Sequence, residues 1–235
     1  MNTLITSAAS DLARALAQSL SSVHRIRLTD VVDVETQFEF VRCELGHDEE
    51  TDKLVRGIDV IIHLAQLPPE RVAAAQDPEN LTLDFLTRCT YNLLMAASQE
   101  KVARVIYAST LQLFDTCDED WTVTESWRPR PTTDVFPLSR YLGEFVCREF
   151  AREGRLKVTC LRLGTLVKAE EAANQPVNTA WLEMRDAVYA FECAVKTPGG
   201  RWDPYHIQSE VPNARFTIRE AKRDLKFAPQ FTVER

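Results

Sequence analysis

The residues of this chain with the most versatile chemistry are six cysteines, four histidines and a run of basic side chains near the C-terminus. Cys43, Cys89, Cys117, Cys147, Cys160 and Cys193 form no C-x-x-C pair, so neither a redox dithiol nor a zinc site is indicated. His24, His47 and His206 lack metal-ligand spacing, so no metal site is expected, and His63 sits in an apolar run as a core or strand-end residue. Arg215, Arg219, Lys222, Arg223 and Lys226 alternate with Glu220 and Asp224, the pattern of a solvated helix face. Glycine, the residue that lets a backbone cradle phosphate, occurs 7 times in 235 residues, against a usual ~7%. The first is Gly46, so no glycine-rich loop is available near the N-terminus. Asp11 opens the first helix, where its charge suits the helix dipole but opposes an incoming pyrophosphate.

These residues are carried by an alternation of short apolar runs and longer helical patterns. Asn2–Thr6 reads as a buried strand, and Ser10–Leu20 as a helix with Leu12, Leu16 and Leu20 four apart. Strands are expected at Val23–Leu28, Phe38–Cys43, Ile58–Leu64, Val102–Ala108, Leu156–Leu163 and Tyr205–Gln208. Helices are expected at Asp48–Arg56, Glu79–Gln99, Phe136–Arg152 with Pro137 in its first turn, Trp181–Lys196 and Thr217–Lys226. The last opens on a Thr217-to-Glu220 capping box. Pro68, Pro69 and Pro78 mark a loop, as does the acidic stretch Asp115–Thr133.

Apolar strands separated by crossover helices predict a doubly wound parallel α/β sheet. A single domain over residues 1–235 is expected, with about 165–235 forming a small C-terminal cap. Net charge is −7, hydrophobic residues make 45% and charged residues 27%. That balance is globular and disfavours nucleic acid or an anionic membrane as partner. No apolar run approaches the ~20 residues of a membrane span. A secretory leader is not expected, because a basic start is missing and Asp11 interrupts the apolar stretch. With unpaired cysteines, this makes the cytoplasm the expected location.

The order of TLITSAASDLA (Thr3–Ala13), RLTD, GIDVIIHLAQ, YNLLMAAS, RVIYAST, PLSRYLGE and TCLRLGTLV resembles the extended short-chain dehydrogenase/reductases, the NAD-dependent epimerase/dehydratases. The likeness runs from about Thr3 to Pro229. In length the chain looks closest to the uronate-dehydrogenase-like members, and a Rossmann-like fold is implied.

That family's first strand leads into T-G-x-x-G-x-x-G, whose glycines allow a tight turn and close approach to a pyrophosphate. Here those slots hold Ser7, Ser10 and Ala13. If Ser7 adopts a left-handed conformation it costs roughly 1 kcal/mol, and Ser10 places a Cβ and hydroxyl where a phosphate oxygen would approach. Asp30 occupies the slot of the carboxylate that grips the adenosine ribose, which favours NAD over NADP if either binds. The resemblance implies hydride transfer by a Ser/Thr, Tyr and Lys triad. Its slots fall on Thr110 (with Ser109 adjacent), Phe136 and Arg140. Phe136 has no ionisable hydroxyl, and general acid–base assistance is typically worth ~10²–10⁴-fold. Arg140 keeps a charge that could reach a ribose but cannot deprotonate. Tyr141 points about 140° away on a helix. A family Asn falls on Leu86 and a Gly on Asp115. Arg162 is placed for a structural ion pair or, by analogy with uronate-type members, a substrate carboxylate. Trp181 and Trp202 flank the cap.

The changes together imply a non-catalytic, degenerate homologue with no cofactor or only weak NAD, a small-molecule ligand, and a binding or regulatory role. The apolar stripes of the 79–99 and 136–152 helices suit a homodimer. The competing expectation is an NAD(P)-dependent oxidoreductase or epimerase acting on a sugar or uronic acid through Thr110, water and Arg140. A third is a sensor that binds a nucleotide without turnover.

Overall fold

In the computed structural model, which describes residues 1–172 and 178–231, the N-terminal apolar run forms β1 (Asn2–Thr6) and the leucine spacing forms α1 (Asp11–Leu20). Leu12, Leu16 and Leu20 are buried with Ala13 and Ala17, one stripe of a helix laid on a sheet. There follow β2 (Arg25–Asp30), β3 (Glu39–Arg42), α2 (Glu49–Val55), β4 (Val60–His63), α3 (Pro69–Ala73), α4 (Pro78–Asp84), α5 (Thr90–Gln99), β5 (Arg104–Thr110), α6 (Val135–Arg152) and β6 (Lys157–Leu163). The chain continues through β7 (Thr165–Val167), α7 (Ala169–Ala172), β8 (Trp181–Glu183), α8 (Met184–Lys196) and β9 (Trp202–Ile207).

Seven strands make one parallel sheet in the order β3-β2-β1-β4-β5-β6-β9. This is the doubly wound Rossmann-like α/β sheet that the alternation of elements predicts. Every residue of β4 is buried, as a strand covered on both faces requires. On one face α1 and α8 share a core that includes Leu16, Ala190 and Phe191. On the other, Leu54 of α2, Leu93 of α5 and Phe150 of α6 pack over Ile61 and Val105. The strand order reverses between β1 and β4, where a crevice opens beyond the carboxyl ends.

Several elements differ from their sequence reading. Within the segment read as a cap, β9 joins the main sheet and α8 covers its face; only β7 and β8 pair separately. Trp181–Glu183 is strand rather than helix, and Glu183 caps α8 by accepting the Arg185 amide at 2.7 Å. The expected 79–99 helix contains a wide π-turn at Phe85–Cys89. There the Thr87 and Thr90 hydroxyls donate to the carbonyls of Leu83 and Leu86 four residues back, which bends helices. Residues 69–73, read as loop, form α3. The capping box at Thr217 is replaced by a hydrogen bond from its hydroxyl to Glu125 at 3.3 Å, and the last helical turn is a π-turn at Ala221–Leu225. Among the described residues no helix is long and apolar enough to cross a membrane.

α6 lies so close to β5 and the π-turn that a Cβ at Gly143 would collide with the Tyr107 hydroxyl and the Leu86 carbonyl. Overpacking of this kind costs about 1–3 kcal/mol. Gly143→Ala is therefore expected to lower the thermal midpoint; an unchanged melting curve would show that α6 can lift from the sheet without penalty.

Candidate functional site

The crevice is built at the ends of β1, β4, β5 and β6. At the end of β1, Ser7 takes φ 61°, the left-handed backbone that its motif slot demands. Its side chain is not idle: Oγ accepts the Gln66 amide at 2.9 Å and so ties the β1 turn to the β4 turn. Ala65, beside that partner, is also left-handed at φ 50°. Each such residue with a Cβ costs roughly 1–2 kcal/mol. Ser10 caps α1: its Oγ accepts the Ala13 amide at 3.2 Å and donates to the Ser7 carbonyl at 2.8 Å. The hydroxyl thus satisfies a helix-terminal amide that would otherwise be offered to an anion. Ala13 is fully buried behind it. Asp11 is ion-paired with Arg14 and, at 3.2 Å, with Lys168 from the segment after β7.

Asp30 ends β2 and is 5% exposed. Its Oδ2 accepts the Ala9 amide at 2.9 Å and its Oδ1 the Val31 amide at 2.7 Å. Burial raises its pKa against the pull of these amides, and the charge of Glu70 adds to the rise. The cavity beside it, lined by Ser10, Leu67, Pro68, Pro69 and Glu70, is only about 60 Å³.

The triad slots meet at a second cavity of about 280 Å³, walled by Leu12, Leu64, Gln66, Thr110, Phe136, Arg140 and Leu166. Thr110 caps the short 3₁₀ turn Leu111–Phe114, its Oγ1 accepting the Gln112 amide at 3.2 Å. Ser109 is committed elsewhere, donating to Glu144 at 2.7 Å. Phe136 stands in the first turn of α6 with its ring 5.3 Å from the Arg140 guanidinium. Arg140 is 93% buried; Nη1 donates to the carbonyls of Leu64 at 2.8 Å and Ala108 at 2.7 Å, across the ends of β4 and β5. Nε has no hydrogen-bond partner among the described residues. Tyr141 lines a different cavity, with Trp127, Glu144 and Arg148. Tyr107 is buried, donates to the Arg140 carbonyl at 3.4 Å, and has its phenol pKa raised by burial. Neither of the two cavities that Thr110 borders has a tyrosine in its described lining.

A larger cavity of about 530 Å³ adjoins this one, sharing Thr110, Gln112, Leu163 and Thr165. Asp115, Glu119 and Asp120 are among its lining, and burial raises the Asp115 pKa. Arg215 also lines it, but donates to the carbonyls of Phe114, Cys117 and Asp118; it staples a loop and is no solvated helix residue. Lys222 and Arg223 do pair on the surface, with Glu210 and Asp224. Arg162 is bidentate to Glu144 at 2.6 and 3.2 Å, both side chains nearly fully buried, which makes it the structural ion pair of the two readings. Glu144 was not singled out in the sequence, though it follows Arg140 by one helical turn and shares its inward face. Leu86 is buried in the π-turn, and Trp181 is 3% exposed in the small cluster with Val167 and Val211. Trp202 instead packs on the main core. Among the described residues no group of three His, Cys, Asp or Glu is placed to hold a metal, and all six cysteines are free.

His63 is held by the Thr6 and Thr90 hydroxyls at 2.9 and 3.0 Å. His206 lies edge-on between Phe114 and Phe216. Burial, reinforced by Arg140 and Arg162, pushes each imidazole pKa down to about 3. In the unfolded chain both titrate near ~6.5, so below that pH the unfolded state binds more protons. Their contribution is full above ~6.5 and is lost as pH falls toward 3. We expect the NMR ring signals of both residues to stay constant between about pH 7.5 and 5.5. A midpoint near 6.5 for either ring would contradict its burial.

The sequence model of the NAD dependent epimerase/dehydratase family matches residues 7–199. A uronate dehydrogenase of Pseudomonas syringae is 26% identical over 200 residues, 83% of this chain and 70% of that protein. An L-arabinose 1-dehydrogenase (NAD(P)(+)) of Haloferax volcanii is 26% identical over 215 residues, 82% of this chain and 81% of that protein. The crystal structure of a glucuronic acid dehydrogenase from Chromohalobacter salexigens superposes with TM-score 0.83 at 22% identity, covering 99% of this chain and 85% of that one. Sheet order, crevice and sequence agree, and this chain belongs to the NAD-dependent epimerase/dehydratase family.

Proposed function

We propose that this chain is a degenerate member of its family, which keeps the crevice but not the hydride-transfer chemistry, and serves as a binding or regulatory protein. The observation that carries this reading is the pair Phe136 and Arg140. One has no proton to give, and the other spends Nη1 on two main-chain carbonyls. A dinucleotide does not fit what the remaining residues offer. Ser10 occupies the α1 cap, Asp30 is buried with its carboxylate turned to the Ala9 and Val31 amides, and the adjoining cavity is about 60 Å³. Ligand cavities generally span ~300–1,000 Å³.

The oxidoreductase reading draws support from the named activities of the relatives and from the Thr110 hydroxyl on a cavity wall. A polar cavity of about 530 Å³ beside it is roomy enough for a sugar or uronic acid. Titration with NADH and NADPH, read by nicotinamide fluorescence, separates the two. We expect no binding tighter than about 100 μM, a free energy of roughly −5.5 kcal/mol. Tighter binding, or reduction of NAD in the presence of an aldose or uronate, would overturn the proposal.

A second test reverses the turn. Ser7→Gly relieves roughly 1 kcal/mol of left-handed strain but gives up the hydrogen bond to Gln66, worth about as much. Ser10→Gly costs only a few tenths of a kcal/mol as a cap. The double variant is thus expected to fold with stability near that of the parent and to bind NADH more tightly. An intact fold with unaltered affinity would count against the steric argument.

A further inference from the structure

We propose that the cavity of about 280 Å³ bordered by Arg140 and Phe136 is a binding site for a small monocarboxylate with an apolar body. This rests on the reading above, in which a dinucleotide does not occupy the crevice. Three arginines are more than nine-tenths buried, Arg104 and Arg162 on the sheet and Arg140 on α6, and they are treated differently. Arg162 has the Glu144 carboxylate. Arg104 donates to the carbonyls of Val195 and Thr197 at the end of α8, the negative pole of that helix. Arg140 has no carboxylate within ion-pair distance among the described residues. Its acceptors are two strand-end carbonyls on one nitrogen, while Nε is unpartnered. A buried cation without a counter-charge is costly unless something supplies one. The side chain borders a cavity large enough to admit it.

The walls state what the rest of the ligand must be. Leu12, Leu64, Ala108, Phe136, Leu163 and Leu166 are apolar and come from five separate stretches of chain. Of the hydroxyls on the wall, that of Ser109 is engaged by Glu144. Gln66, Gln112, Thr110 and Thr165 are the other uncharged polar side chains on the wall. A hydrated polyol would lose water to leucine walls without replacement, whereas an aryl or branched aliphatic carboxylate matches both ends. The volume, at the small end of ligand pockets, limits it to roughly one ring. The negative charge of a ligand is also kept from the neighbouring cavity by Asp115, Glu119 and Asp120.

The test is isothermal titration of the full chain with benzoate, isovalerate, glucuronate and inorganic phosphate, with NADH run in parallel. Benzoate or isovalerate is expected to bind, and Arg140→Gln to weaken binding roughly 10–100-fold, the value of a charged hydrogen bond. Arg140→Lys keeps the charge but not the fork that serves framework and cavity together, and is expected to lose less affinity than Arg140→Gln. If Arg140→Gln does not fold, Leu166→Trp keeps Arg140 and is expected to abolish binding by filling the cavity. Binding of glucuronate or phosphate in preference to the apolar acids would overturn the assignment of ligand class. Absence of any carboxylate binding, with NADH also not binding, would overturn this inference alone. NADH binding tighter than about 100 μM would overturn the proposed function and this inference with it.

Discussion

A guanidinium removed from water must find acceptors, and the crevice of this protein is organised around that demand. Arg140 reaches from α6 to the carboxyl ends of β4 and β5 and closes on the carbonyls of Leu64 and Ala108. Those carbonyls lie where β4 and β5 stop pairing, so one cation joins three elements there, beside the Tyr107–Arg140 and Ser109–Glu144 bonds that tie β5 to α6. The same contact sets the position of Phe136, whose ring packs against the guanidinium, and so the width of the cavity beneath. A lysine in this place would present a single ammonium; the planar fork of arginine allows one nitrogen to bind the framework while the rest of the head borders a cavity.

On either side of this contact, polar groups that could face a ligand are instead spent on the framework. Ser7 bonds the β4 turn, Ser10 caps α1, Asp30 holds the turn after β1, and Ser109 supports the Arg162–Glu144 pair. Each is a short side chain serving a nearby backbone or buried charge. The result is a scaffold in which these short side chains are satisfied from within, while Arg140 Nε is not. Its ligand-facing surface is more apolar than its motif positions imply.

Much of the fold was legible because the signals were local. The run IDVIIHL is too continuously apolar for anything but a strand covered on both faces, and Leu12, Leu16 and Leu20 define one face of one helix. Ser7 could be read as left-handed because a motif slot fixes backbone geometry whatever residue fills it. The destination of Arg140 was not legible, since its acceptors lie 76 and 32 residues away in sequence. The Thr217 capping box failed for a similar reason: Glu125, 92 residues distant, took the hydroxyl. At Trp181 the sequence is ambiguous, because Trp181, Leu182 and Glu183 satisfy an apolar helix pattern as well as a short strand. Only pairing with β7 decides between them.

The joint packing of α1 with α8 has a consequence for synthesis. The leucine stripe of α1 shares its core with Ala187, Ala190 and Phe191, which leave the ribosome some 170 residues later. At typical elongation rates of ~5–20 residues per second that interval is roughly 10–35 s. Throughout it the part of the first helix that α8 will cover has no partner, while the part facing β1 and β2 already has its strands at hand.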